Sequence, residues 1–445
     1  MVTGNSITLK RLRTAVWLYL ILLIFEGALR KWVLPGLSNP LLIVRDPIAI
    51  YILFVSRMKG ILKFNPYSFW MILIGCFGII TALLQGHGNL MVAIYGARIF
   101  IIHFPLMFAI AEIFTIQDVI RYGKVLLWIS LPMTALIIAQ FFSPQSAFVN
   151  RGVGGDMSGA GFSGALGYYR PPGTFSFTTG TSLFYGLVAA YVFYFWFNSF
   201  LINRFLLITS TVCLLFAVPF SISRTLLFEV FLSTAFMTVS VWYRPNYLKR
   251  IAIGIIIFLA VFYLIENQGF FSTGTEVFTA RFTSANESEG GLNSVFMDRF
   301  LGGMVYAVEN APNMPFFGYG LGMGTNAGAQ MLTGKVTFLI AEQEWGRVIG
   351  EMGLLMGFII IIVRIAFGIS TLSKGIRELK LKNALPWMLL SFGFIQILQG
   401  QWGQPTNLGF SIISGGLVLA AFNKPEDEDE EEEILAEEVV KTDEE

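Results

Sequence analysis

Residues Tyr67–Gln85 read YSFWMILIGCFGIITALLQ, nineteen positions without one charge. A helix needs about 20 mostly apolar residues to cross a hydrocarbon core of about 30 Å, so this stretch predicts a membrane span. Working outward from it, eleven more stretches of the same kind can be marked: 14–30, 41–56, 90–112, 122–142, 174–197, 204–220, 225–242, 250–266, 346–368, 384–399 and 406–422. The first, second, seventh, eleventh and twelfth of the full set, counted in chain order, are short for a full crossing. The expectation is an all-α polytopic membrane protein of about twelve transmembrane helices.

Composition points the same way. Only 13% of the 445 residues are charged, about half the share usual in soluble domains, and the mean hydropathy is +0.67. A chain with 43 Phe and 9 Trp is not a disordered one. The net charge of +1 hides a division: residues 1–423 carry 28 Lys and Arg against 16 Asp and Glu, while the stretch after Lys424 carries 13 acids and Lys441 alone. The basic body is expected in the membrane, and the acidic segment 423–445 is expected as a disordered cytoplasmic tail. Cys76 and Cys213 sit in apolar runs and read as small core hydrophobes. His87 and His103 are too isolated for a metal site. Lys10, Arg11 and Arg13 precede an apolar stretch with no small-residue cleavage site, so a retained first span is expected.

Lys and Arg in the connections set the orientation. With the N-terminus in the cytoplasm, sixteen fall on the cytoplasmic side and eight outside, and both termini are cytoplasmic. The division that follows is nine spans within 1–266, with an external loop near 143–173; a large external loop, 267–345, forming a subdomain before the tenth helix; and the last three spans within 346–422. In the large loop, Asn293–Asn310 has near-helical apolar spacing that predicts a helix on the membrane surface, and PNMPFFGYGLGMGTN after it has too many Gly and Pro for a helix.

Six of the eight external cations are Arg: Arg30, Arg151, Arg170, Arg224, Arg281 and Arg299. Arg holds phosphate oxygens bidentately and keeps its charge. A phosphate-bearing ligand, naturally a lipid-linked diphosphate, accounts for Arg on the side that the positive-inside bias disfavours; pairing with external carboxylates or lipid headgroups accounts for it equally. Arg224, in SISRT, falls at a helix start, where backbone N–H groups help to bind an anion. Arg170, in YYRPPGTF, is fixed by Pro171, Pro172 and Gly173. Arg281 and Arg299 lie in the large loop. The external carboxylates gather in AEQEWGRVIGEMG, residues 341–353. There Glu344 and Arg347 are i, i+3 and Arg347 and Glu351 are i, i+4, which can make an ion-pair ladder on one face, or leave a carboxylate to take a proton from an attacking hydroxyl. Arg45, Asp46, Arg98, Glu112 and Glu229 fall inside apolar spans, where burying a charge costs about 2.5–3.5 kcal/mol by insertion scales; pairing is expected for them.

These features together resemble the O-antigen ligase and O-antigen polymerase superfamily: about twelve spans, a large loop before the tenth, S-x-S-R at an outer helix start and R-x-P-G-T-F before the sixth span. MDRFLGGMVYAVENAPNMPFFGYGLGMG (Met297–Gly324) is similar to that family's Arg-containing helix and P-x-x-G-x-G turn. AEQEWGRVIGEMGLLMG (Ala341–Gly357) resembles its next element, and FEGALRKWVLPGLSNPLLIVRDP (Phe25–Pro47) looks like the start of an exopolysaccharide-linked branch. Glu342 stands where the family commonly has its catalytic histidine, and Gln343 stands at the usual Asn.

The resemblance implies an inverting glycosyltransferase at the outer face of the bacterial inner membrane. It would polymerise or ligate polyprenyl-diphosphate-linked oligosaccharide, with membrane lipids and a polysaccharide co-polymerase or export protein as further partners and no nucleic acid. Arg170, Arg224, Arg281 and Arg299 would hold the diphosphate, with Arg224 and Arg299 catalytic; Glu342 or Glu344 would deprotonate the acceptor. No metal or cofactor is expected, since arginines can neutralise the developing charge. The alternative is a transporter or flippase for lipid-linked sugars.

Overall fold

In a computed structural model, residues 2–243, 245, 248–265, 268–288, 301–310, 313–335 and 337–423 are described. Along the chain run α1 (Val2–Ala28), α2 (Ser38–Leu41), α3 (Asp46–Met58), α4 (Pro66–Leu84), α5 (Leu90–Arg98), α6 (Phe104–Ile113), α7 (Ile116–Phe142), a hairpin of β1 (Phe162–Ser163) and β2 (Tyr169–Arg170), α8 (Thr179–Phe197), α9 (Arg204–Phe220), α10 (Arg224–Tyr243), α11 (Leu248–Ile265), α12 (Gly269–Ser288), α13 (Gly303–Glu309), α14 (Asn326–Thr333), α15 (Glu344–Lys380), α16 (Leu385–Gln399) and α17 (Pro405–Ala420). π turns interrupt the regular helices at Leu29–Val33 after α1 and at Ile99–His103 between α5 and α6.

The helix starts follow from local chemistry. Asn65 accepts from the amides of Tyr67 and Ser68 ahead of Pro66, and Asn89 accepts from Met91 and Val92. Both satisfy amides that an open helix end leaves without partners. Thr115 and Asp118 form a reciprocal capping box at α7.

Among the described residues seven helices are long and apolar enough to cross a membrane: Ile7–Val33, α4, Leu90–Ile113, α7, α8, α10 and α15. The expected count of twelve is not reached on this criterion. Helices α9, α16 and α17 have 17, 15 and 16 residues, and α3 has only 13. At about 1.5 Å per residue these fall short of a 30 Å core unless the adjoining turns share the crossing.

Helix α8 forms the axis of the bundle, buried on almost every side and packed on α7, α9, α10, α16 and α17. Helix α4 has the opposite character. Met71, Ile74 and Gly78 face inward, while Trp70, Leu73, Phe77 and Ile80 are exposed. An apolar outward face suits lipid rather than water. Cys76 lies on that face and is exposed, which corrects its reading as a core residue: in a helix apolar all round, composition alone does not reveal the inner side. Within 267–345, α12 lies along α9, where Phe270 and Phe271 meet Phe216; α13 packs on α15 through Ala307; and α14 packs on α5. Of the surface helix expected at Asn293–Asn310, residues 293–300, Arg299 included, lie outside the described residues, as does the acidic segment from Lys424.

Candidate functional site

Helix α15 is broken. Gly353 has φ 76° and ψ 171°, a backbone region essentially confined to glycine. The carbonyls of Gly350 and Glu351 accept hydrogen bonds from the amides of Tyr319 and Gly320 at 2.8 and 3.0 Å. The glycine-rich loop 315–324 is thereby laid into the break by its main chain. The fit leaves no room for side chains: a Cβ on Gly353 would strike the Phe316 carbonyl, and one on Gly322, at φ 93°, would strike the Val92 carbonyl.

Beneath the loop lies a closed ion network. The Glu344 carboxylate takes Nε and Nη2 of Arg347 at 2.9 and 2.8 Å and Nη1 of Arg364 at 2.8 Å. Arg347 Nη1 also donates to Glu351 at 2.6 Å, and the other Glu351 oxygen accepts the Gly324 amide at 2.8 Å. Arg364 caps the end of α16 through the carbonyls of Ile397 and Gly400 at 2.8 and 3.0 Å and stacks 3.6 Å over Trp402. All four charged side chains are buried, and two cations meet two anions. This is the ladder that the i, i+3 and i, i+4 spacing allows, extended by Arg364. Glu344 is therefore held as an ion-pair partner and is poorly placed to act as a base. Glu342 is exposed, and its carbonyl accepts Gln401 Nε2 at 3.1 Å.

A second buried cluster joins elements far apart in sequence. Arg98 Nη1 meets both Asp46 oxygens at 2.8 and 2.6 Å. His103 Nε2 lies 3.0 Å from Asp46 Oδ1, and His103 Nδ1 lies 3.2 Å from the Tyr19 hydroxyl. With its proton on Nε2, His103 donates to Asp46 and accepts from Tyr19. Arg45 donates to Glu26 at 3.0 Å and to the Pro405 carbonyl at 2.7 Å. Arg30 reaches Glu26 at 3.6 Å and the Ser38 carbonyl at 2.7 Å. Arg30 lies in the π turn Leu29–Val33 and His103 in the π turn Ile99–His103, which Arg98 directly precedes; such turns re-aim side chains and are common at functional sites.

Glu229 stands apart from both. It is buried in α10, its Oε1 accepts Gln396 Nε2 at 3.4 Å, and its Oε2 has no hydrogen-bond partner among the described residues. The expectation that every charge in a span is paired holds for Arg45, Asp46 and Arg98, and for Glu112, which lies 3.3 Å from Lys63. It fails for Glu229, which has no cationic partner among the described residues.

All three features meet around the junction of α16 and α17. Arg364 holds its start, Arg45 holds Pro405, and Glu229 meets Gln396. Of the arginines expected at a diphosphate, Arg224 opens α10 and Arg170 ends β2. The loop of the hairpin packs on the turn that precedes α10, with Gly164 lying against the Ile222 side chain, while Tyr168 stacks on Phe141 and Phe141 meets Phe220. Arg281 lies on α12, half-buried, and Arg299 lies outside the described residues. Set against family models, curated proteins and solved structures, the chain finds no match in any of the three.

Proposed function

We propose that this chain is a membrane glycosyltransferase taking its donor sugar from a polyprenyl-diphosphate carrier, in polymerisation or ligation of exopolysaccharide or O-antigen repeats. The observation that carries the reading is the pairing of cation and apolar cavity on the same helices. A cavity of about 480 Å³ lies among α8, α9, α10 and α12, lined by Trp196, Leu214, Val218, Leu227, Phe271 and Phe278. Arg224 precedes Leu227 by three residues, and Arg281 follows Phe278 by three, so each is a neighbour of a cavity-lining side chain on its helix surface. An apolar trough on helices that also carry arginines suits an amphiphile with an anionic head and a long hydrocarbon tail.

In this reading α11 and the short helices α3, α9, α16 and α17 also cross, giving twelve spans with both termini in the cytoplasm. The site end of the bundle then faces the periplasm of an inner membrane. The acceptor hydroxyl attacks the anomeric carbon opposite the diphosphate, the C–O bond to the diphosphate breaks, and Arg170, Arg224, Arg281 and Arg299 take up the charge that develops. With Glu344 held in ion pairs, Glu342 is the carboxylate left to accept the hydroxyl proton.

Purified protein given a lipid-diphosphate oligosaccharide should lengthen the glycan and release polyprenyl diphosphate, and Arg224→Ala should lower the rate at least 100-fold while the protein stays folded. Unchanged turnover by Arg224→Ala overturns the assignment of that residue. The charges buried within the bundle favour a second reading, a transporter or flippase for lipid-linked sugars. Movement of the intact donor across vesicles with no polyprenyl diphosphate released decides for it.

A further inference from the structure

The buried carboxyl of Glu229 has a prepared seat. Its Oε2 and Cδ press on Gly186 of α8, where any Cβ would overlap them, so the acid fits only because that position is glycine. Its one hydrogen-bond partner among the described residues is the amide of Gln396. The same face of α10 continues with Ser233, whose hydroxyl lies 2.9 Å from that of Ser391 on α16, and with Ser240, which meets Met388. A carboxyl therefore heads a seam of hydroxyl groups between two helices where plain apolar packing would serve.

A thread of side chains leads the other way, toward the surface. Gln396 Oε1 accepts the Ser411 hydroxyl at 3.5 Å, and Ser411 also bonds to the Asn407 carbonyl at 2.8 Å. Asn407 Nδ2 reaches Gln401 Oε1 at 3.3 Å, and Gln401 Nε2 reaches the carbonyl of exposed Glu342. The Asn407 Oδ1 along this thread is buried without a hydrogen-bond partner among the described residues.

We propose that Glu229 is a proton-binding site: a neutral carboxylic acid within the bundle that exchanges its proton with water by way of the turn between α16 and α17. The reason is energetic. A carboxylate buried with no cation and a single amide partner is costly, and the group avoids that cost by holding a proton. The charged and titratable groups of the surrounding elements do not change this. Helix α8 offers Tyr185, Tyr191 and Tyr194, and α16 and α17 offer none. Arg364 of α15, which contacts the Gln396 carbonyl, is taken by Glu344. On α10 itself, Arg224 stands five residues toward the helix start. The site is independent of glycosyl transfer, and its test requires no substrate.

The full-length protein in detergent is treated with dicyclohexylcarbodiimide, an apolar reagent that adds to neutral carboxylic acids, and the adduct is located by peptide mass spectrometry. A water-soluble carbodiimide is run in parallel. The apolar reagent should label Glu229 at least tenfold more than the water-soluble one. Glu344, Glu351 and Asp46, each held by arginine, should stay unlabelled. Infrared spectra of the wild type and Glu229→Gln supply the check that needs no reagent access: the C=O band of a protonated carboxyl should be present in the first and lost in the second. A wild type without that band overturns the site. Equal labelling by both reagents overturns its buried seat, and a C=O band that does not shift when the protein is moved into deuterium oxide overturns the exchange with water.

Discussion

The two buried ion clusters differ in how completely they close. The one on α15 sets Arg347 and Arg364 against Glu344 and Glu351, and both carboxylates are fully engaged. The one joining α1, α3 and α5 sets three arginines, Arg30, Arg45 and Arg98, against Glu26 and Asp46. Arg45 Nη1 and Arg98 Nε have no hydrogen-bond partner among the described residues. A balanced cluster acts as a fastener, because desolvation of each ion is met by an opposite charge and by backbone carbonyls. A cluster with one cation too many keeps unmet donor capacity, which is where a response to a change in charge is to be sought.

That contrast can be broken by experiment. The largest effect is expected from Arg347→Met, which leaves two carboxylates buried together and should cost about 3–5 kcal/mol, read as the loss in thermal unfolding of the detergent-solubilised protein. Asp46→Asn keeps the shape of the second cluster but removes a charge from an already cationic group. It should cost about 1.5–3 kcal/mol, the worth of hydrogen bonds to a charged partner. Equal losses in the two variants would erase the distinction between closed and open clusters. Smallest is Gly353→Ala, at about 1–3 kcal/mol from backbone strain. It should also raise protease cutting within 315–324, since the loop must leave its place against the new methyl group. An unchanged cutting pattern would show that loop and break are not coupled.

What could be read from the sequence follows the range of the interactions. The helices were legible because apolar runs are local, and the Glu344–Arg347–Glu351 ladder because its members are three and four residues apart. Arg364 was not, since it meets Glu344 from twenty residues along the same chain, past a break at Gly353 that the apolar pattern on either side conceals. The Asp46–Arg98–His103 cluster was visible only as charges out of place in apolar runs, because the separations of more than fifty residues carry no periodic signal. For Glu229 the anomaly was visible and its interpretation failed, since pairing was expected and the partner proved to be an amide. The candidate diphosphate arginines were legible as residues, and the structure adds the packing of the Arg170 hairpin on the Arg224 turn.

The loop seated in the break of α15 also bears on how the chain assembles. Residues 315–324 leave the ribosome before Glu344–Gly353, so the amides of Tyr319 and Gly320 are already made when the carbonyls of Gly350 and Glu351 come to need them. The turn of that helix just before Gly353 cannot complete its hydrogen bonding from its own sequence, and it matures only when the earlier segment docks. Loop and helix start therefore open and close as one cooperative unit, and slow exchange of the Tyr319 and Gly320 amides is its signature.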